Sequence, residues 1–176
     1  MAKTRSKNAP FDLLKEDHEK VKKAFKEFEN LDRQDAEACR PLILATCEDL
    51  KVHTTLEEEV FYPVMKRLND EMKEELIPEA EEEHRVAKML MAELHDMDPA
   101  DEPWEAKFMV LMENVKHHIK EEEQEILPKV EEGGSSTMAD RIGELWVEAK
   151  RRLMDQRGAK DLDRGRTEPE VAGRRR

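Results

Sequence analysis

Six residues of this 176-residue chain have the types and spacing to hold metal ions: His18, His53, Glu57, His84, His118 and Glu122. Imidazole nitrogens and carboxylate oxygens are donors suited to first-row transition metals. His53/Glu57 and His118/Glu122 are each four residues apart, so on a helix the two donors of each pair stack on one face. The pairing alone carries little weight. Glutamate fills 30 of 176 positions, so six histidines should meet a Glu at the fourth place about once by chance, and three do, the third being His117/Glu121.

The frame around the pairs is what discriminates. His53 and His118 each lie ten residues before a proline, Pro63 and Pro128. The stretches HTTLEEEVFYP and HIKEEEQEILP agree at the His, at two consecutive Glu, at an apolar pair and at the Pro. His18 precedes His53 by 35 residues and His84 precedes His118 by 34, and both single histidines have a lysine four residues on, Lys22 and Lys88. This is an internal repeat: a helix with one His, then a helix with HxxxE, twice over. The repeat register also selects His118 over His117, which falls on the neighbouring face with Asn114 and Glu121. His95 has no partner in the repeat and reads as a surface or boundary histidine.

The elements that must position these groups are helices. Charged residues make up 42% of the chain, aromatics 5%, and there are 6 Gly, a helix-forming composition that leaves little for a sheet. The first helix is expected from about Phe11 to Leu31, with Asn8 or Asp12 as cap and a stripe of Leu14, Val21, Phe25 and Phe28. The second starts near Asp35 and runs to Phe61, where Pro63 should kink or break it. A short polar segment leads to Pro78, and the third helix spans about Pro78 to Met97. The fourth follows Pro103, carries Phe108, Leu111 and Val115, and is interrupted at Pro128. After Gly133-Gly134-Ser135-Ser136, an amphipathic helix is expected to about Gln156, with Ile142, Leu145, Trp146, Ala149 and Leu153 on one side. The organisation expected is a flexible N-terminus at 1–9, a bundle at 10–132, an added helix at 136–157 and a disordered, basic-ended tail at 158–176.

Four helices of about 20 residues with short links predict an all-α, up-down-up-down four-helix bundle. His18 and His84 then occupy inward slots of the first and third stripes. Ile43, Cys47 and Leu50 lead into His53 and Glu57, and Phe108, Leu111 and Val115 lead into His118 and Glu122. Two carboxylates in a helical core are costly unless cations or metal neutralise them. Four nitrogens and two bridging carboxylates suit two first-row ions, Fe or Mn before Mg, with Zn as an alternative. Six side chains cannot fill two six-coordinate ions, so water or an exogenous ligand completes them and the site is open. The plainer reading of the same residues is a buried hydrogen-bonded ionic network with no metal. The runs Glu57–Glu59, Glu81–Glu83 and Glu121–Glu123 otherwise read as solvated faces.

These motifs resemble the hemerythrin-like HHE cation-binding domains: His18 in LLKEDHEKV, His53 and Glu57 in HTTLEEEVFYP, His84 in EEEHRVAKML, and His118 and Glu122 in VKHHIKEEEQEILP. The resemblance covers about residues 10–130. It implies a bundle around a non-heme di-iron centre, two iron ions sharing an oxo, hydroxo or water bridge. It also implies oxygen binding, redox or oxidant sensing, iron handling, or peroxide and nitric-oxide chemistry. Two departures matter. The third helix lacks the second inward His of the oxygen carriers, with Ala80 and Lys88 at the two places, and the acid of the fourth helix falls four rather than five residues after its His, at Glu122, with Glu123 available at five. A near-symmetric set results, which favours redox chemistry, sensing or metal handling over simple oxygen transport. Lys22 and Lys88 either snorkel to solvent or approach the bridging carboxylates. Tyr62, the only tyrosine, is either an extra ligand or redox partner or a packing residue beside Pro63.

Three functions follow from this reading. The first is a di-iron protein that reacts with or senses dioxygen, peroxide or nitric oxide. The second is an iron-binding, storage or homeostasis protein without turnover, and the third a metal-free helical interaction module. The acidity, a net charge of −12, argues against nucleic acid as partner. No apolar run approaches the roughly 20 residues that cross a bilayer, so no membrane partner is expected. Cys39 and Cys47, about 12 Å apart on one helix, are too far apart for a disulfide and fit a cytoplasmic protein. Oligomeric state stays open.

Overall fold

A computed structural model describes residues 9–33, 35–133 and 135–167. The described residues are helical with short links and contain no strand. Helix α1 spans Ala9–Glu29 and α2 spans Ala36–Leu56, capped by the Asp35 carboxylate accepting from the Ala38 amide at 3.0 Å. A π-helical turn, Glu57–Phe61, carries α2 directly into α3, Tyr62–Met65. A second π turn, Met72–Leu76, opens onto α4, Ile77–Asp96. Helix α5, Pro103–Glu121, passes through a third, Glu122–Ile126, into α6, Leu127–Gly133. Helix α7 spans Ser136–Thr167.

The helix expected to kink or break at Pro63, and the one expected to be interrupted at Pro128, are each interrupted by a π turn and then go on. Each of the three π turns begins six residues before a proline, Pro63, Pro78 or Pro128. Proline has no amide hydrogen and its ring crowds the carbonyl four residues back. The residue before each proline answers by bonding one place further back, Tyr62 to Glu57, Ile77 to Met72 and Leu127 to Glu122. One wider turn absorbs the misfit, and the helix goes on. For the same reason the third helical segment starts ahead of Pro78, where the Asn69 side chain accepts from the Met72 amide at 2.9 Å.

The predicted stripes are buried throughout: Leu14, Val21, Phe25 and Phe28 on α1; Ile43, Cys47 and Leu50 on α2; Ala80, Ala87, Met91 and Leu94 on α4; Phe108, Leu111 and Val115 on α5. They form two apolar clusters. One gathers Phe25, Phe28, Ile43 and Phe108, and the other gathers Phe11, Leu14, Phe61, Tyr62 and Trp146. Between them lies one polar layer. Trp104 ties the start of α5 to the end of α4 through its indole N–H on the Leu94 carbonyl, 3.1 Å away.

Helix α7 covers its own bundle, packing on α1 and α2. Ile142, Trp146 and Ala149 are buried there, and its rim is charged: Lys150 pairs with Asp17, Arg152 with Glu59, and Arg157 with Asp49 at 2.9 Å. It continues to Thr167, ten residues beyond the expected end at 157 and into the segment expected to be disordered. No proline interrupts that stretch before Pro169. The expectations for residues 1–8 and 168–176 lie outside the described residues. No described helix is long and apolar enough to cross a membrane. Cys39 and Cys47 are free and buried, and burial pushes the Cys47 thiol up to about 12, as inert small hydrophobes should behave.

Candidate metal centre

All six sequence-selected residues meet in the polar layer, and all six are buried. Helix α1 delivers His18, α2 delivers His53, α4 delivers His84 and α5 delivers His118. Glu57 and Glu122 each stand at the first position of a π turn, one turn beyond the histidine of the same strand of chain. The histidines fall into two facing pairs, with ring centroids 4.9 Å apart for His18/His53 and 4.6 Å for His84/His118.

Glu57 lies between the pairs. Its Oε1 is 3.0 Å from His53 Nε2 and 3.9 Å from His18 Nε2, while Oε2 is 3.1 Å from His84 Nε2 and 4.0 Å from His118 Nε2. Glu122 Oε2 sits opposite, 3.2 Å from His18 Nε2 and 3.7 Å from His118 Nε2. Two groups of ligating atoms result, His18/His53/Glu57/Glu122 and Glu57/His84/His118, each with its atoms within 4.8 Å of one another. Both share Glu57.

Many of these contacts have ion-pair distance without hydrogen-bond geometry. His18 Nε2, both nitrogens of His53, both oxygens of Glu57 and Oε2 of Glu122 are buried with no hydrogen-bond partner. Buried polar atoms are almost always satisfied, because an unsatisfied one costs about 1–3 kcal/mol. A concentration of orphaned nitrogens and oxygens facing one another is the donor set that cations would satisfy together. The residues present fit a metal.

The outer layer was not legible from helix periodicity. His18 Nδ1 meets Glu123 at 2.9 Å, His84 Nδ1 meets Glu58 at 3.0 Å, and His118 Nδ1 meets Glu83 at 2.8 Å. Such a carboxylate fixes the imidazole tautomer and leaves Nε2 aimed inward. Glu58, Glu123 and Glu83 were expected on solvated faces. A π turn spreads successive side chains through a smaller angle than an α turn, so Glu57 and Glu58 both stay near the centre, as do Glu122 and Glu123. The signal was present, since the repeat matches at two consecutive glutamates rather than one. The lysines belong to the same arrangement: Lys22 holds Glu123 at 3.0 Å and Lys88 holds Glu58 at 2.6 Å. They neither reach the inner carboxylates nor dangle in solvent.

Tyr62 is buried in the layer. Its hydroxyl donates to Glu122 Oε1 at 2.9 Å and lies 3.3 Å from His84 Nε2. Burial, with Glu122 and Glu57 close by, pushes the phenol well above its ordinary value near 10, so it keeps its proton. Of the remaining histidines, His95 is exposed beside Asp96, as expected, and His117 lies outside the layer with Glu121.

With no metal bound the layer is a charged network. Burial alone would lower His18, but Glu122, Glu123 and Glu57 outweigh it and hold it up at about 11. Burial likewise opposes, and Glu57 and Glu58 overcome it to raise, His84 to about 9. Burial would lift Glu57, yet His53, His18 and His84 keep it well below the usual carboxylate range. The raised histidines stabilise the fold fully below the unfolded value near 6.5, and that contribution fades as pH rises through about 9 and then 11. The depressed Glu57 contributes above about 4.5 and less as pH falls. The metal-free protein is therefore expected to have its highest urea midpoint between about pH 4.5 and 6.5, declining from there through pH 9 to 11. A midpoint that climbs above pH 9 would contradict the network described.

Residues 9–130 match the family described as the hemerythrin HHE cation binding domain. A crystal structure of a hemerythrin HHE cation binding domain-containing protein, the Rv2633c homolog from Mycobacterium kansasii, superposes with a TM-score of 0.68 at 21% sequence identity. The superposition covers 92% of this chain and 94% of the other, so the shared fold extends beyond the matched segment. No curated protein matches the chain in sequence.

Proposed function

The chain belongs to the hemerythrin HHE cation-binding family, and from that premise we propose that it is a non-heme di-iron protein that reacts with or senses a small oxidant, dioxygen, peroxide or nitric oxide. The observation that carries this reading is the sharing of Glu57 between two imidazole pairs, one oxygen toward each. His18 and His53 would hold one ion, His84 and His118 the other, with Glu57 and Glu122 between them. Bound iron would supply open coordination positions and electrons to the oxidant. Manganese, and less naturally zinc, would suit the same donors.

The chain's own residues support a reactive centre. The apolar clusters on either side exclude bulk water from the layer. Glu58, Glu123 and Glu83 hold the imidazoles in one tautomer and orientation. Tyr62 keeps a proton at its hydroxyl, 2.9 Å from Glu122, where a donor to a small anionic group is useful. The metal-free interaction module is disfavoured by the orphaned buried atoms. The free cysteines fit the reducing cytoplasm, to which we assign the protein.

Aerobically purified protein is expected to carry about two iron ions per chain, one for each imidazole pair, with ferric charge-transfer absorption in the near ultraviolet. It should consume hydrogen peroxide in proportion to its iron content. Iron retained without turnover of peroxide or binding of dioxygen or nitric oxide would move the reading to storage or homeostasis. Absence of transition metal from a protein exposed to iron during folding would remove both.

A further inference from the structure

A second set of ligating side chains lies outside the buried layer. His117 Nε2 is 3.1 Å from Glu121 Oε1 and 3.6 Å from Glu83 Oε1, and the three offer atoms within 4.8 Å of one another. His117 and Glu121 stand one turn apart near the end of α5, and Glu83 reaches across from α4. Among the described residues no lysine or arginine pairs with Glu83 or Glu121. Two carboxylates and an imidazole converge with no cation of the protein's own.

Behind this set is a small cavity with room of about 30 Å³ for water-sized particles, enough for a partly hydrated ion. Glu79 and Glu125 are exposed at its rim, Glu83 and Glu121 are half-buried along it, and His118 and Glu122 close its inner end. Exposure of the side chains falls in that order, from 58% at His117 and 32% at Glu121 to 14% at Glu83 and 0% at Glu122. At the inner wall the cavity meets the buried layer itself, because Glu122 is fully buried and its Oε2, without a hydrogen-bond partner, faces His18 and His118. Glu83 joins the two levels: Oε1 faces His117, while Oε2 accepts from His118 Nδ1 at 2.8 Å.

The geometry points to Glu83, His117 and Glu121 as a capture site for a divalent first-row transition cation, and to the acidic cavity behind it as the route by which that cation reaches the buried histidines. The destination rests on the metal centre proposed above, whereas the capture site stands on its own residues. Mixed imidazole and carboxylate donors at the surface suit an ion that must be bound weakly enough to move on. Graded negative charge draws a cation inward and raises its rate of arrival, an effect that salt weakens.

Cobalt(II) is a suitable probe, since its visible absorption reports coordination and it is not readily oxidised. Metal-free protein carrying His117→Ala and Glu121→Gln, both outside the buried layer, is expected to fill the centre about tenfold more slowly in stopped-flow mixing while reaching the same final content of tightly held cobalt. In a His53→Ala/His84→Ala variant, equilibrium dialysis should find one weakly held cobalt ion, lost when the two surface changes are added. Equal filling rates with and without the surface changes, or no cobalt on the His53→Ala/His84→Ala variant, overturns the inference. Should the unaltered protein hold only the weak surface ion, the buried centre and the route fall together and the capture site remains.

Discussion

Glu57→Gln is expected to lower metal affinity by at least about 100-fold, beyond the 10–100-fold typical when a residue that merely orients a ligand is changed. Glutamine keeps the volume and one oxygen but removes the charge that the two imidazole pairs share. Glu57 directs a separate oxygen toward each pair, Oε1 at 3.0 Å from His53 and Oε2 at 3.1 Å from His84. On the two-ion reading, neither site would lose it without the other's losing it too. Elemental analysis of the purified variant should find the metal content collapsed, and titration with cobalt(II) should show no tight phase. Glu113→Gln, an exposed residue of α5, serves as control and should bind as the unaltered chain does. A normal metal content in Glu57→Gln would remove the bridging role and with it the two-ion reading.

Trp146→Ala is expected to destabilise the fold by about 3–5 kcal/mol, read as a lower urea midpoint at unchanged slope. The indole is 1% exposed and sits in the cluster with Phe11, Phe61 and Tyr62. Its Nε1 has no hydrogen-bond partner, so the loss is one of packing. The ring also meets the edge of His53, with centroids 6.3 Å apart, so it walls the polar layer on the α7 side. Metal bound at the centre should therefore exchange faster in the variant. Trp146→Phe should recover most of the stability by refilling part of the space. Val147→Ala, half-exposed on the same helix, should change it by no more than about 0.5 kcal/mol. A cost below about 1 kcal/mol for Trp146→Ala would mean that α7 is not anchored on the bundle as described.

Much of the inner site was legible in the order of residues. Helical spacing placed His18, His53, His84 and His118 on stripes whose other members are apolar, and every member of those stripes is buried. The duplicated frame chose His118 over His117, and the structure puts the first in the layer and the second outside it. The same repeat, which matches at two glutamates, held the clue to Glu58 and Glu123 that an unbroken α-helical angle concealed. At Glu83 the repeat also has an acid in both halves, Asp17 before His18 and Glu83 before His84, but the two do different work, Asp17 pairing with Lys150 and Glu83 with His118. The prolines left their outcome open for a related reason. A missing amide forbids one bond, but it does not say whether a helix ends or widens by a residue, and here Tyr62, Ile77 and Leu127 widen it.

Periodicity is a local property, so the sequence by itself determined which side chains share a helix face, that the helices are four long ones with a fifth, and that four imidazoles and two carboxylates point into one core. Distances across the core depend on how closely the helices approach and how each is rotated. Only the tertiary structure could decide that Glu57 stands between both histidine pairs, that Tyr62 donates to Glu122, and that Lys22 and Lys88 serve the outer carboxylates. The same holds for α7. Its apolar face was visible in the sequence, but whether it would cover this bundle or another chain turned on a match of shape and charge with α1 and α2.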